Sequence, residues 1–568
     1  VQGRRGDDRP GLCFEGRCWS WAEVVEEATT RAVWMAALHA ELRGAGPEGL
    51  AERRPLHLGV LSENTPDYVF LLAAAALSGS VVVGLNPTRR GEQLAADLRR
   101  TDCDVVLTES PGSPAVVATS SLLEDLDLGL PPGSPGVLCT DTADWTELLA
   151  SHRGRAPLAP PPAAEDLYLL IFTSGSTGEP KAVRMTQGRA ARTARRMPFR
   201  GDDVLYCAMP LFHGNALNAS LFPAVATGAR LELRRRFSAG EWLPDVRRSG
   251  ATYANTVGRA LAHLLATPPT PEDRDHRLGF VLAPESTAAD KAAFAQRFGV
   301  TVFDGYGSSE NAIILNPDPE RPGSLGRARP EDDVVVLDPD TLQECPPARL
   351  DAEGRLLNAA TAVGELVGRN VAGNFEGYYK NPEAQAERIR HGWYWSGDLA
   401  YRDGDGVLWF AGRGGDWLRV DSENFTAAPI ERILQRWPGA TGVAVYPVPD
   451  ARTGDQVMAA LELDDPGRFD PEDFVAFLAA QPDLGPLWWP RYLRVVRALP
   501  VTATDKLDKQ PLRRAAWHTD DPLWLREGRD DRFRPFTTGD REGLEAEFAR
   551  HGRRRFWPES PLEEVRDG

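Results

Sequence analysis

The run Ile171-Phe172-Thr173-Ser174-Gly175-Ser176-Thr177-Gly178-Glu179-Pro180-Lys181 crowds hydroxyls, glycines and a cation into one turn after the apolar stretch 167–172. Glycine lets a backbone approach a ligand without a Cβ clash. Exposed N–H groups and hydroxyls then cradle phosphate oxygens, and a lysine adds charge. The run is not a Walker A loop. No Gly-Lys-Ser/Thr follows, and Ala182-Val183-Arg184-Met185 predicts a strand where a Walker loop would open a helix. A short Ser/Gly-rich surface turn shares this composition, but the length of the run and its cation favour phosphate binding.

Lysine usage points the same way. Five of the 65 basic residues are lysines: Lys181, Lys291, Lys380, Lys506 and Lys509. Arginine is bulkier and stays protonated, so it cannot replace a compact ammonium. Lys181, Lys380 and Lys506 all lie inside motifs.

The elements that must position these residues are legible in outline. A chain of 568 residues implies at least two domains. A net charge of −17 argues against broad nucleic-acid binding, which needs a basic face, and leaves small anionic ligands open. The six cysteines show no metal-ligand spacing with histidine, and residues 1–12 do not read as a signal peptide. Reduced thiols and a cytoplasmic location are expected. Residues 68–85 are nearly all apolar, yet Ser78-Gly79-Ser80 splits them into pieces too short to span a bilayer, so no integral membrane segment is expected. The first 130 or so residues alternate helices (21–42) with strands (57–61, 105–107), the pattern of a layered α/β fold. Prolines at 131–135 and 157–162 bracket a loop-rich stretch. The chain turns β-rich near 334–337 and 366–367, and Arg413-Gly414-Gly415-Asp416 precedes a new α/β run, 425–496. Residues 518–554 are charged and studded with Trp and Phe. No internal repeat is present.

Further motifs follow in order: Met209-Pro210-Leu211-Phe212-His213-Gly214, Asp304-Gly305-Tyr306-Gly307-Ser308-Ser309-Glu310, Gly377-Tyr378-Tyr379-Lys380-Asn381-Pro382-Glu383, Trp393-Tyr394-Trp395-Ser396-Gly397-Asp398, Gly412-Arg413-Gly414-Gly415-Asp416 and Thr502-Ala503-Thr504-Asp505-Lys506. The series resembles the adenylate-forming superfamily of acyl-CoA synthetases, luciferases and peptide-synthetase adenylation domains. The tail, Lys181-Ala182, Gly415 and Glu423-Asn424 resemble its fatty-acid transport protein (very-long-chain acyl-CoA synthetase) branch. The N-terminal run through Gly84-Leu85-Asn86-Pro87-Thr88-Arg89-Arg90 is similar to actinobacterial fatty-acid CoA ligases. The resemblance implies an α/β protein: a large N-terminal domain of α/β layers with a distorted β-barrel subdomain (1–412), a hinge (413–416), a small mobile C-terminal α/β domain (417–516) and an extension (517–568). It implies an ATP-dependent acid–thiol ligase. The carboxylate attacks the α-phosphate of ATP and pyrophosphate leaves; the thiol of coenzyme A then attacks the acyl-AMP and AMP leaves. Both steps need charge stabilisation more than proton chemistry.

By the same resemblance, Thr173, Ser174, Gly175, Ser176, Thr177, Gly178 and Lys181 hold the triphosphate. Glu310, with Thr177, ligates Mg²⁺, which commonly uses one carboxylate plus phosphates. Tyr306 stacks on adenine, and Ser309, usually threonine in the family, contacts the α-phosphate. Ala283, Pro284, Asp304 and Gly307 join the nucleotide-binding set. Asp398 accepts from the ribose hydroxyls with Arg413 close by. His213 sits where acyl and pantetheine tunnels meet. Lys506 bridges carboxylate and α-phosphate, and the small domain then rotates about the hinge. Taken singly, Glu310 reads as a surface carboxylate, Asp398 as a turn residue and His213 as a satisfied core histidine; their order and spacing favour the ligand roles.

Two residues depart from the pattern. Asp505 stands beside Lys506, where many relatives have glycine. At about 4 Å the attraction between the two charges is on the order of a few kcal/mol in a partly dry site. That predicts weakened adenylation, an enzyme acting mainly as the thioesterifying half, and a separate adenylating partner enzyme; if the two side chains point apart, Asp505 does nothing. Ser422 replaces a usual glycine and predicts a slower second step. The pocket walls expected from 213–222, 253–257 and 311–315 are mixed in size and mostly uncharged, which suits a hydrophobic carboxylic acid or its adenylate. A fatty acid is the first expectation and a bulky polycyclic acid the second. Cys207, near that pocket, reads as a small buried hydrophobe. The competing readings are a nonenzymatic acyl/nucleotide-binding uptake protein and an amino-acid adenylation enzyme, although Ala216-Leu217-Asn218-Ala219-Ser220 lacks the aspartate that would grip an amino group. A luciferase-like oxygenase has nothing to recommend it beyond the shared motifs. The oligomeric state, a homodimer included, stays open.

Overall fold

A computed structural model describes the chain outside residues 45–53, 88, 90, 111–119, 157–160, 174–179, 285, 287, 319, 322, 352–355, 414–416, 421–422, 452–454, 482–483, 485–487, 503–505, 528–531, 552 and 559–568. It divides into two compact units, Val1–Ile314 with Gly373–Glu387, and Leu315–Ala372 with Arg388–Gly568.

The first unit holds two sheets. One has six strands in the order Val137–Cys139, Val105–Thr108, His57–Leu61, Val81–Gly84, Leu167–Thr173 and Lys181–Thr186, parallel except for the last. The other has seven: Thr301–Phe303, Phe280–Leu282, Tyr253–Asn255, Val204–Cys207, Arg230–Leu233, Pro10–Phe14 and Arg17–Ser20, again parallel except for the final hairpin. Parallel strands are covered on both faces and so read as continuous apolar runs; Val81–Gly84 is buried throughout.

Two helices, Trp21–Arg43 and Pro66–Ser78, share one core with both sheets, joining Leu58, Val82 and Ile171 of one to Leu205, Leu231 and Leu233 of the other. Ser20 and Glu23 form a reciprocal cap at the start of the first helix. Thr65 caps the second and left-handed Gly79 ends it. The apolar stretch 68–85 is therefore a buried helix and strand, and no described helix is long and apolar enough to cross a membrane.

Two expectations need correction. The stretch between the proline clusters carries the edge strand Val137–Cys139 and the helix Ala143–Ala150, which Thr142 caps and Trp145 anchors edge-on against Trp34. The cysteines are not all reduced. Cys13 and Cys18 face each other across the antiparallel hairpin and are joined as a disulfide, while Cys103, Cys139, Cys207 and Cys345 are free thiols. Cys207 is fully buried, as expected of a small hydrophobe.

In the second unit, the strands Val334–Leu337, Gly364–Gly368, Trp393–Arg402, Ile389–Arg390 and Leu408–Arg413 form an antiparallel sheet around the long central strand 393–402. A second sheet runs Gly442–Pro449, Asp455–Glu462, Tyr492–Val496, Leu523–Arg526 and Phe533–Pro535. Its last two strands belong to the charged tail, which is thus built into the sheet. Trp517 and Phe548 are fully buried, and Trp557 stacks on Trp517 with ring centroids 5.2 Å apart. Phe548→Ala is expected to destabilise the protein by ~3–5 kcal/mol through the cavity it leaves. Denaturant unfolding checks this; a loss below about 0.5 kcal/mol, the range of ordinary surface changes, would mean that the tail is only attached.

Candidate active site

Several site segments of the first unit leave the carboxyl ends of strands, where open α/β sheets bind ligands. Residues 209–213 follow Val204–Cys207, 256–257 follow Tyr253–Asn255, 283–284 follow Phe280–Leu282, and 304–310 follow Thr301–Phe303. Thr173 ends the strand Leu167–Thr173 and pairs in register with Lys181. Ser174, Gly175, Ser176, Thr177 and Gly178 lie outside the described residues.

Lys181 is buried. Its Nζ lies 3.0 Å from Glu387 Oε2 and 5.6 Å from the centre of the Tyr378 ring. The segment carrying Tyr378 is laid along the edge strand Lys181–Thr186: Arg184 N–H donates to the Gly377 carbonyl and Tyr379 N–H to that of Ala182. Gly377 takes a φ of 85°, open to glycine at little cost. Glu376 accepts from both the backbone N–H and the hydroxyl of Thr186. These contacts bring the Tyr378 hydroxyl to Glu310, where it donates to Oε1 at 2.7 Å.

Glu310 is 5% exposed. A buried charge is costly unless it is partnered, and its backbone is held as firmly as its side chain. Arg189, itself buried, donates to the carbonyls of Ser309 and Glu310 at 2.8 and 2.7 Å. Asn311 follows in the left-handed region at φ 51°, a conformation asparagine tolerates. Asp304 pairs with Lys291 at 3.2 Å and caps the N–H of Gly305. Tyr306, Gly307 and Ser309 lie between Asp304 and Glu310 on the same stretch. Ala283 N–H donates to the Phe303 carbonyl, and the Pro284 carbonyl accepts from Gly258 N–H, which ties the ends of three strands together.

His213 precedes the short helix Gly214–Ala216, beside the ring of Phe212. Its loop hangs on Asn64, a residue that sequence reasoning missed. Asn64 is 2% exposed; its Nδ2 donates to the carbonyls of Met209 and Arg234, and its Oδ1 accepts from Leu211 N–H. Gly84 makes room for the loop, since a Cβ there would meet the Phe212 backbone at 3.1 Å. Arg189 and Glu376 were missed too. One arginine among many and a lone glutamate carry no local signal of partners so distant in sequence.

In the second unit, Asp398 and Arg413 stand directly opposite each other on neighbouring antiparallel strands. Gly397 takes a left-handed φ of 73°, which favours glycine, and packs against the Arg388 guanidinium. Lys506 closes a turn: its carbonyl accepts from Thr502 N–H, and its own N–H donates to the Thr502 hydroxyl. Asp505 and Ser422, the two departures from the motif pattern, lie outside the described residues.

The donor set suits a magnesium nucleotide. Glu310 is a single inward carboxylate with one oxygen engaged by Tyr378, and Mg²⁺ takes one or two carboxylates plus phosphates rather than an all-protein cage. No group of three or more His, Cys, Asp or Glu placed to hold a metal occurs among the described residues.

These features fit an α/β fold with a nucleotide-binding face at its strand ends, and comparison with known proteins identifies the class. The profile of the AMP-binding enzyme family matches residues 1–379, and that of the AMP-binding enzyme C-terminal domain matches 429–506. The chain belongs to the AMP-binding enzyme family. It is 48% identical over 561 residues to the steroid-22-oyl-CoA synthetase of Rhodococcus jostii, covering 97% of each chain. It is 44% identical over 523 residues to the medium/long-chain-fatty-acid–CoA ligase FadD17 of Mycobacterium tuberculosis, covering 91% of this chain and 96% of that one. Among solved structures, ATP-bound MatB from Rhodopseudomonas palustris superposes with a TM-score of 0.74 at 23% identity, over 89% of this chain and 96% of that one. The anthranilate CoA ligase AuaEII in complex with anthranoyl-AMP gives 0.73 at 21%, over 90% and 94%. At such identity the structural likeness establishes the fold alone.

Asn64→Ala strands three backbone groups, two buried in the His213 loop and one partly buried at Arg234. It is expected to cost roughly 2–5 kcal/mol, at about 1–3 kcal/mol per unpaired group before relaxation. Chemical denaturation measures the loss, and a cost near zero would show that the loop does not depend on this amide.

Proposed function

We propose that the protein is a complete acyl-CoA ligase for a bulky polycyclic acid of the steroid side-chain type. The relatives above that are named for an activity are CoA synthetases or ligases, which fits an ATP-dependent acid–thiol ligase working through acyl-AMP. The substrate is the proposal. What carries it is the 48% identity, over nearly the whole of both chains, to a steroid-22-oyl-CoA synthetase. The similarity to FadD17 favours a medium or long fatty acid as the second reading.

In this reading Thr173, Lys181 and the loop between them hold the triphosphate, Tyr306 stacks on adenine, and Asp398 with Arg413 holds the ribose. Ala283, Pro284, Asp304 and Gly307 shape the nucleotide pocket, and Ser309 faces the α-phosphate. Glu310, with Thr177, holds Mg²⁺, which when bound supplies positive charge to the phosphate oxygens. Lys506 draws carboxylate and α-phosphate together, where a fixed ammonium stabilises the charge that develops. Residues 413–416 act as the hinge on which 417–516 turns between the two half-reactions, with 517–568 carried along. His213 lines the junction of acid and thiol. The chemistry suits the cytoplasm, where ATP and coenzyme A are supplied.

Asp505 carries a narrower proposal: adenylation is slowed, and a separate adenylating enzyme can supply the acyl-AMP. A paired assay tests both. Purified protein receives either acid, ATP, Mg²⁺ and CoA, or preformed acyl-AMP and CoA, with a steroid carboxylic acid and a long-chain fatty acid run in parallel. A complete steroid-acid ligase forms that thioester in both arms and prefers it to the fatty acid. Slowed adenylation appears as a deficit confined to the first arm, which Asp505→Gly raises by about tenfold, a modest electrostatic change. Fatty acyl-CoA alone would replace the steroid reading with the second.

A further inference from the structure

Two of the segments expected to wall the acid pocket meet in the structure and carry polar atoms that the protein leaves unsatisfied. Asn255, at the end of the strand Tyr253–Asn255, donates from Nδ2 to the Asn215 carbonyl at 3.5 Å. That contact turns its Oδ1 the other way. Neither Asn255 Oδ1 nor Asn218 Oδ1, one helical turn beyond Asn215, has a hydrogen-bond partner among the described residues. The hydroxyls of Tyr253 and Thr256 share this condition. Tyr253, Asn255 and Thr256 are each 1% exposed.

Ser220, on the same turn as Asn218, is a further buried hydroxyl without a partner among the described residues, and the side chains packed around these groups are largely apolar. Leu217, Leu221, Phe222, Tyr253 and Val257 belong to one buried cluster. Asn218 also lies on an unusual piece of backbone. Residues Leu217–Leu221 form a π-helical turn in which Phe222 N–H bonds the Leu217 carbonyl. Such turns arise most often at functional sites, and Pro223, which has no N–H to give, follows at once. A buried amide or hydroxyl without a partner costs about 1–3 kcal/mol. Several such groups on two adjoining segments are therefore a feature that stability alone would remove. An apolar wall with a few placed polar atoms is the usual make-up of a small-molecule site.

We propose that Asn218 and Asn255 form a subsite that recognises a hydroxyl group on the hydrophobic frame of the acid. The amide oxygens are acceptors and call for a donor. An alcohol donates to one of them and can accept in turn from the Thr256 or Tyr253 hydroxyl. The preferred substrate is then a hydroxylated polycyclic acid, not its hydrocarbon counterpart. This rests on the reading of 213–222 and 253–257 as walls of the acid pocket in a polycyclic-acid ligase.

The test compares two polycyclic carboxylic acids that differ only in one ring hydroxyl, with CoA-thioester formation as the readout. A short series varies the position of that hydroxyl. A pocket built to bond a hydroxyl discriminates strongly against an analogue that lacks it, so the wild-type protein should favour one hydroxylated acid by about tenfold or more in kcat/KM. Asn218→Leu and Asn255→Leu should bring that preference to within about threefold, because the apolar replacement no longer rewards the hydroxyl. Asn218→Ser, the smaller change, should fall between, and it serves if a leucine variant does not fold. Equal use of all the polycyclic acids by the wild-type protein overturns the subsite and leaves the ligase reading standing. A preference that persists in the variants places recognition elsewhere and also overturns it. No thioester from any polycyclic acid, with fatty acyl-CoA still formed, defeats the substrate reading and the subsite together.

Discussion

A carboxylate inside a protein must be held from several sides, and much of the first unit is arranged around that demand at Glu310. The Tyr378 hydroxyl meets its side chain and the Arg189 guanidinium its backbone. Tyr378 arrives there because residues 377–379 add to the edge of the strand Lys181–Thr186, and that strand brings Lys181 beneath the same tyrosine ring. The helix bearing Arg189 begins at Thr186, whose hydroxyl caps it and also donates to Glu376. A single edge strand therefore sets the lysine, the tyrosine and the carboxylate. Its register could not slip by one residue without turning Lys181 to the other face.

Parallel sheets supply the rest. Strands buried on both faces can present polar groups only at their ends, and the segments 209–213, 256–257, 283–284 and 304–310 leave carboxyl ends. Asn64, Gly84 and the Gly258–Pro284 contact then fix the loops against those ends. The charge economy fits a chain of net −17. The scarce lysines are engaged one by one, Lys181 with Glu387, Lys291 with Asp304, Lys380 with Asp102 and Lys509 with Glu431. Glu387 is more than half exposed, so its pairing with Lys181 is weak and can give way to a phosphate.

Much of this was legible in the sequence because it is written locally. The strands at 57–61 and 334–337 follow from β-branched and leucine runs, and the helix expected at 21–42, which ends at Arg43, from its apolar spacing. The ordered motifs identify the family and the stretches that carry the site. What was not legible depends on partners far apart in the chain. Asn64 reaches Leu211, and Arg189 reaches Glu310, with nothing around either residue to announce it. The Cys13–Cys18 bond was misread from composition, although the hairpin that joins them is only a few residues long. The strand and helix at 137–150 were hidden by flanking prolines, and the tail passed for an appendage because its burial is visible only from Trp517 and Phe548 together.

The central claim is that the buried Glu310 carboxylate exists to engage the magnesium nucleotide, not to stabilise the fold. Acid-dependent exchange of pyrophosphate into ATP by Glu310→Gln, run beside a thermal melt, tests it most directly. The account predicts that exchange falls by about a hundredfold or more, as loss of one transition-state electrostatic partner does. It also predicts a melting temperature that is unchanged or raised, since a neutral amide costs less to bury. Exchange at the wild-type rate would contradict it, as would a loss of exchange that merely follows unfolding.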